Sequence, residues 1–446
     1  MITLNFINMM SDTQERTDGL TPDDIDSLKD RLNVIHQDII GRKIPELYFL
    51  DLPYQETDSV TLMAENIRRT SAYFILLGIG GSAIGPRALL EALKPFYNHR
   101  HTPKIFIYDN ADPSTFQSIL SIIDLKRTTV NVITKSGTTL ETMASFLILE
   151  QALREAHGEE FQKWIIATTD PEKGAMREIA TKRGFRTLPI HPHLIGRYSV
   201  LSPVGLLLAS VAGINIKGLL KGARDMLKRC SKKEVWENPA YMSASLMYLM
   251  AQKGKKISVL LPYSDRLRVF SDWYCQLWAE SLGKNGIGQT PYPARGATDQ
   301  HSQLQLWIDG PKDKVITFIA INDYGYEVPI PEEDIEPMGY LRNHSLEGLI
   351  KAEQEATELA LLNAGVPSMR LNIPMIDSYY MGQLILFFEL VTTVTGMLYG
   401  INPFNQPAVE EGKDLAYGIM GRSGYEDKGR VVVRYREKMQ KSRYKI

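Results

Sequence analysis

From residue 73 onward, short runs of branched and aromatic apolar residues alternate with longer stretches of helical spacing. Residues 73–79, 104–108, 129–134 and 164–167 read as strands, and 86–96, 139–155 and 171–182 as helices. Consecutive parallel strands need a long return path. A helix between each pair therefore predicts a parallel sheet covered on both faces, an α/β fold. The alternation pauses at 202–212 and 219–227, which read as helices, and then resumes. Helices are expected at 239–253, 267–282, 344–364 and 383–399, and strands at 257–262, 315–319 and 368–371.

The pause divides the chain into two α/β domains, expected at 47–215 and 216–400. A charged, helix-compatible segment, 1–46, precedes them. Residues 401–446 read as a loop and a polar helical tail, whose basic end from Arg430 to Lys445 is expected to be a solvated face. A chain of 446 residues is too long for one ordinary core, in keeping with this division.

Composition excludes several classes. The formal net charge is -1, so no global basic excess holds nucleic acid. Cys230 and Cys275 are the only cysteines, which predicts no disulfide framework and fits a reducing compartment. Residues 1–11 lack the basic region and cleavage site of a secretory signal. The longest apolar stretch, 381–399, is interrupted by Gln383 and Glu389, so a buried core helix is expected rather than a membrane span. The expectation is a cytoplasmic protein with no membrane or nucleic-acid partner.

Two loops carry chemistry. Gly78-Ile79-Gly80-Gly81-Ser82-Ala83-Ile84-Gly85 follows an apolar strand and opens a helix. Glycines let backbone approach a ligand, and a helix N-terminus offers unpaired N–H groups to an anion. No Lys-Ser/Thr follows Gly85, so this is not a Walker loop. Gly78, Gly80 and Ala83 have the spacing of a dinucleotide fingerprint, with Asp109 as a loose acidic partner. The second loop, Thr134-Lys135-Ser136-Gly137-Thr138-Thr139, also joins a strand to a helix. A Ser/Thr-rich N-cap explains one or two of its hydroxyls, but not four with a lysine. Together the loops favour a small phosphorylated ligand over a dinucleotide.

At these loops the sequence resembles sugar isomerase (SIS) domains, which bind phosphosugars through such turns. The match narrows to the glucose-6-phosphate isomerase family. Gly196-Arg197-Tyr198-Ser199 resembles its Gly-Gly-Arg-Tyr-Ser element, and Glu280-Ser281-Leu282-Gly283-Lys284 its Glu-Ser-x-Gly-Lys element. Thr298-Asp299-Gln300-His301 resembles its histidine loop, and 404–413, from Phe404 to Lys413, its C-terminal signature. The segments run in family order from 78 to 413. Ile195 stands where the family has Gly, Asn405 where it has Asp, and Ala408 where it has Gly.

The resemblance implies two SIS-type, flavodoxin-like three-layer domains. It also implies reversible isomerisation of glucose 6-phosphate and fructose 6-phosphate, an aldose–ketose reaction of glycolysis and gluconeogenesis through a cis-enediolate. Glu280 is the candidate base, since a carboxylate can carry a proton between adjacent carbons. Partial burial, beside Trp278 in sequence, is expected to raise its basicity. Arg197 is the candidate for the enediolate, since it opposes negative charge without giving up a proton. His301 is implied to open the ring from the partner subunit of a homodimer, with Lys413 as the second ring-opening residue. Gln406 resembles a substrate-binding amide. The phosphate is expected on Gly81, Ser82, Thr134, Lys135, Ser136 and Thr139. His191 and His193 read as structural, and no metal site is expected. Hydrogen moves as a proton, so no cofactor is expected. The alternatives are an isomerase that also accepts mannose 6-phosphate, a non-catalytic SIS-domain phosphosugar-binding regulator, and an oxidoreductase built on the first loop.

Overall fold

The apolar runs lie side by side as their alternation with helices requires. The computed structural model describes residues 1–11, 19–94, 103–332 and 336–444. Among these, ten strands build two five-stranded sheets. In chain order they are β1 (Thr3–Asn5), β2 (Tyr73–Leu77), β3 (Lys104–Tyr108), β4 (Thr128–Ile133) and β5 (Ile165–Thr169). β6 (Arg186–Pro189), β7 (Ile257–Pro262), β8 (Thr290–Pro293), β9 (Lys314–Ile321) and β10 (Ser368–Ile373) follow.

The first sheet is parallel throughout, in the order β3-β2-β4-β5-β6. The chain steps from β2 to one side, crosses over β2 to β4, and winds outward. This is the flavodoxin-like order, which opens a crevice beyond the carboxyl ends of β2 and β4. Every residue of β4 is buried, as a central strand covered on both faces must be. Val130 and Val132 pack with Phe146, Leu149 and Leu153 of helix Leu140–His157. Each such side chain contributes roughly 1.5–3 kcal/mol by leaving water.

The second sheet, β1-β10-β9-β7-β8, repeats that winding in its four parallel strands. Its fifth place is taken by β1, which pairs antiparallel with β10. The N-terminal segment is thus not only helical. Residues 3–5 close the far sheet, a pairing that no local pattern announces. Helix Ser378–Leu398 meets the expectation for the 381–399 stretch. It is long and apolar enough to cross a membrane by length and composition, yet 94% of its apolar window is buried inside the protein. Cys230 and Cys275 are free thiols.

Several boundaries shift for physical reasons. Helix Ala175–Arg183 begins four residues later than its pattern suggests. Asp170 first turns the chain by accepting from the backbone N–H groups of Glu172 (3.0 Å) and Lys173 (3.1 Å). β6 and β8 read Arg-Thr-Leu-Pro and Thr-Pro-Tyr-Pro, and the sequence reading misses both. They are edge strands, where proline is tolerated because one side needs no ladder bonds. Residues 95–96 of the 86–96 helix, residues 12–18 of the N-terminal segment and Lys445 lie outside the described residues.

The chain forms two compact units, Met1–Pro403 and Phe404–Ile446. In the second, helices Glu410–Ile419 and Glu426–Gln440 pair as a hairpin. The Arg422 guanidinium lies over the Tyr417 ring, 4.2 Å from its centroid.

Candidate active site

The four loops after β2, β4, β5 and β6 leave the first sheet at one edge, since their strands are parallel and adjacent. After β2, a 3-10 turn, Gly80–Ser82, leads into helix Ile84–Leu93. Gly80 takes a positive φ of 56°, which costs a residue with Cβ about 1 kcal/mol or more. At Gly81 a Cβ would lie 2.2 Å from the carbonyl carbon of Gly196 and 2.6 Å from the backbone nitrogen of Arg197. Glycine is therefore what lets the first loop sit directly on the Gly196–Tyr198 turn.

After β4 the second loop shapes itself with its own hydroxyls. Thr134 Oγ1 accepts from the Gly137 N–H (3.1 Å), and Ser136 Oγ accepts from the Thr138 N–H (3.2 Å). Thr134 and Thr139 hydroxyls meet at 3.5 Å, while Ser136 stands exposed. Lys135 reaches sideways and donates to the carbonyls of Pro192 and of Leu194, the latter at 3.2 Å. Burial holds its ammonium below the usual lysine range, partly offset by Asp170. Leu194 is three residues before Arg197, so the chain between them spans at most about 11 Å. The second loop is thereby tied to the same turn as the first.

Arg197 is the hub. Its side chain is fully buried, a costly place for a charge unless well paired. Nε donates to Ser281 Oγ (2.8 Å), one terminal nitrogen pairs with Glu280 Oε2 (3.2 Å), and the other donates to the Pro403 carbonyl (2.8 Å). Glu280 is one-third exposed and stands near the end of helix Arg268–Leu282. Its other oxygen, Oε1, accepts from Gln276 Nε2 at 2.9 Å, one turn back. Gln276 also lies against the first loop, 2.9 Å from where a Cβ on Gly80 would be. The first loop thus packs directly on the Arg197–Glu280 pair, and the second is tied through Lys135 to the segment just before Arg197. Lys284 folds back to donate to the carbonyls of Glu280 (2.8 Å) and Ser281 (2.5 Å), closing the helix end. Burial, then the nearby Arg197 charge, pushes its ammonium down to about 8.

One expectation is corrected. Trp278 does not supply an apolar neighbour for Glu280. Two residues apart on a helix means roughly 200° of rotation, and Trp278 packs inward on Tyr274 at 5.4 Å between centroids. The immediate partners of the carboxylate are polar, Arg197 and Gln276.

His301 is exposed and follows the carboxyl end of β8. Helix Arg268–Leu282 runs back from β7 to β8, and the segment after it returns to the amino ends of those strands. Gln289 Nε2 donates to the Lys255 carbonyl at 2.9 Å, just before β7. Glu280 and His301 of one chain therefore lie toward opposite ends of the second sheet. Gln406 and Lys413 belong to the second unit. There Lys413 pairs with Glu410 at 2.7 Å, one turn away on its own helix. Asp109, the acid a dinucleotide would need, is paired with Arg87 at 2.9 Å. His191 stacks on Tyr48, ring centroids 3.6 Å apart, in keeping with a structural role. Ile195 takes an ordinary extended conformation (φ -88°, ψ 142°), so a side chain in place of the family glycine is accommodated without backbone strain. The sequence reading misses Gln276, although its place four residues before Glu280 is a usable signal. It also gives no role to Ser281 or Lys284, although both lie in a segment it singles out.

A family model described as phosphoglucose isomerase matches residues 66–320 and 348–430. A glucose-6-phosphate isomerase of Carboxydothermus hydrogenoformans is 41% identical over 434 residues, covering 93% of this chain and 94% of that protein. A crystal structure of a Thermus thermophilus protein, described as hypothetical, superimposes with a TM-score of 0.86 at 31% identity, over 94% of this chain and 100% of that one. A glucose-6-phosphate isomerase from Chlamydia trachomatis has the same fold, with a TM-score of 0.80 at 21% identity over 98% of this chain and 92% of that one.

Proposed function

The chain belongs to the phosphoglucose isomerase family, and from that premise we propose how it interconverts glucose 6-phosphate and fructose 6-phosphate. The observation that carries the reading is the buried Arg197 paired with Glu280, set against two phosphate-type loops. A regulator that only holds a phosphosugar needs the loops and has no use for that pair.

The phosphate is held by Gly81, Ser82 and the hydroxyl-rich turn of Thr134, Lys135, Ser136 and Thr139. Helix N-termini and hydroxyls donate to its oxygens. With the sugar open, Glu280 takes the proton from C2 of glucose 6-phosphate. Electrons move into the C1 carbonyl, and the resulting cis-enediolate carries its charge beside Arg197. Glu280 then returns the proton to C1 on the same face, while the C2 hydroxyl passes its proton to the C1 oxygen, leaving a ketone at C2 and a hydroxyl at C1. Every step moves a proton, so the chemistry calls for no electron carrier.

Ring opening falls to His301 and Lys413, and Gln406 contacts the sugar. The separation of His301 from Glu280 within one chain supports a homodimer, in which His301 of a second copy reaches this site. Domains meeting near residue 215, and a cytoplasmic location, complete the reading.

The test is a coupled assay on fructose 6-phosphate with the Glu280→Gln and His301→Ala variants, alone and mixed. Turnover in the wild type and its loss in each single variant support the assignment. If the two inactive variants are mixed under exchange, a shared site restores activity in one of the two sites of each heterodimer. No recovery despite proven heterodimers sinks the shared site.

A further inference from the structure

Resting on the reading of Arg197 as the cation for the enediolate, we propose that Ser281 is the positioning residue that sets its guanidinium in register with the base. Ser281 is fully buried, so it does not touch substrate. Its hydroxyl accepts from Arg197 Nε at 2.8 Å, while the neighbouring Glu280 takes one of the terminal nitrogens at 3.2 Å.

The geometry gives this contact a distinct job. A guanidinium is planar and its donors are fixed in a fork. One terminal nitrogen is held by Glu280 and the other by the Pro403 carbonyl, and Ser281 holds the third nitrogen, Nε, so that every edge of the plane is fixed. Successive residues on a helix point about 100° apart, so Glu280 and Ser281 grip two different edges of one plane. Because both grips come from one helix end, the cation and the base move together. Lys284 holds that same end through the carbonyls of Glu280 and Ser281.

The chemistry of the grip also matters. A second carboxylate at this place would fix Arg197 equally well, but its charge would cancel the field that the enediolate needs. A hydroxyl orients the cation and stays neutral. The Tyr198 hydroxyl, 3.4 Å from Ser281 Oγ and buried with it, backs the serine from the far side. Thr393 Oγ1 in turn lies 3.4 Å from the Tyr198 hydroxyl.

The experiment compares Ser281→Ala and Ser281→Cys, each made in the wild type and in an Arg197→Lys background. Cysteine keeps the volume but is a weak acceptor, so it separates the hydrogen bond from packing. Steady-state kinetics on fructose 6-phosphate are read for all. The expected result is a kcat loss of roughly 10- to 100-fold in both serine variants, with KM little changed. In the Arg197→Lys background the same serine changes should cost nothing further, because lysine has no Nε fork to orient. A kcat within twofold of wild type in both serine variants overturns the proposal. So does an undiminished loss in the lysine background. A wild-type kcat in Arg197→Lys alone would instead overturn the underlying role of Arg197.

Discussion

The two sheets wind alike but bring residues to the Arg197–Glu280 pair from opposite ends. The first offers the loops beyond the carboxyl ends of its strands, where β2 and β4 diverge in connection. The second offers the end of a helix that has run back toward the amino ends of β7 and β8. The first contribution is mostly backbone and hydroxyl, suited to an anion that stays the same throughout a reaction. The second is a carboxylate held by an arginine that the first half of the chain supplies. The difference predicts a division of labour. Loop changes should act on KM, and changes at the helix end on kcat.

The sharpest break is Glu280→Gln. It should lower kcat by about 10³-fold or more with little change in KM, read by the coupled assay on fructose 6-phosphate. A near-native kcat removes the base from the account. Next comes Arg197→Ala, with kcat expected to fall about 10²- to 10³-fold, the scale of a lost oxyanion partner. Lys135→Ala lies on the other side of the comparison. Losing a charge-assisted bond should raise KM roughly 10- to 100-fold and leave kcat within a few-fold. A kcat loss of the Glu280 scale at Lys135 would erase the distinction between the two regions.

The smallest effect concerns pH. Burial lowers the Lys284 ammonium from 10.5 to about 8, so the fold disfavours its charged form. Between those values the unfolded chain keeps a proton that the folded chain has released. Stability from this group therefore rises with pH across that window. Lys284→Met should flatten this part of the curve of Tm against pH. An unchanged difference between variant and wild type from pH 7.5 to 10.5 would count against a buried, depressed lysine at the helix end.

The first sheet was largely legible in the sequence, and the reason is local. Each inner strand announces itself by apolar residues on both faces, and each of the two candidate loops by glycine or hydroxyl residues at a strand–helix junction. The second sheet hides more. β1 is three residues long and pairs with β10, across nearly the whole chain. β8 carries two prolines. At the site, the contact of Glu280 with Arg197 joins positions 83 apart, which no periodicity records. Residue type was enough to name both, through the family resemblance, but not to say what surrounds them. Trp278 shows the limit. Adjacent in sequence, it faces away because a helix turns, while Gln276, farther along the chain, faces in.

If Glu280 itself carries the proton between C2 and C1 of the bound sugar, the transfer must pass through an exchangeable carboxyl. Glucose 6-phosphate turned over in deuterated water reads this directly, by the deuterium found in the sugar carbon skeleton. Wild type is predicted to place deuterium at C1 of fructose 6-phosphate, because the one-third-exposed Glu280 carboxyl exchanges its proton with solvent in a fraction of turnovers, and Glu280→Gln, saturated with the same sugar, to incorporate none above the enzyme-free background. Incorporation by the glutamine variant at the wild-type rate would contradict it.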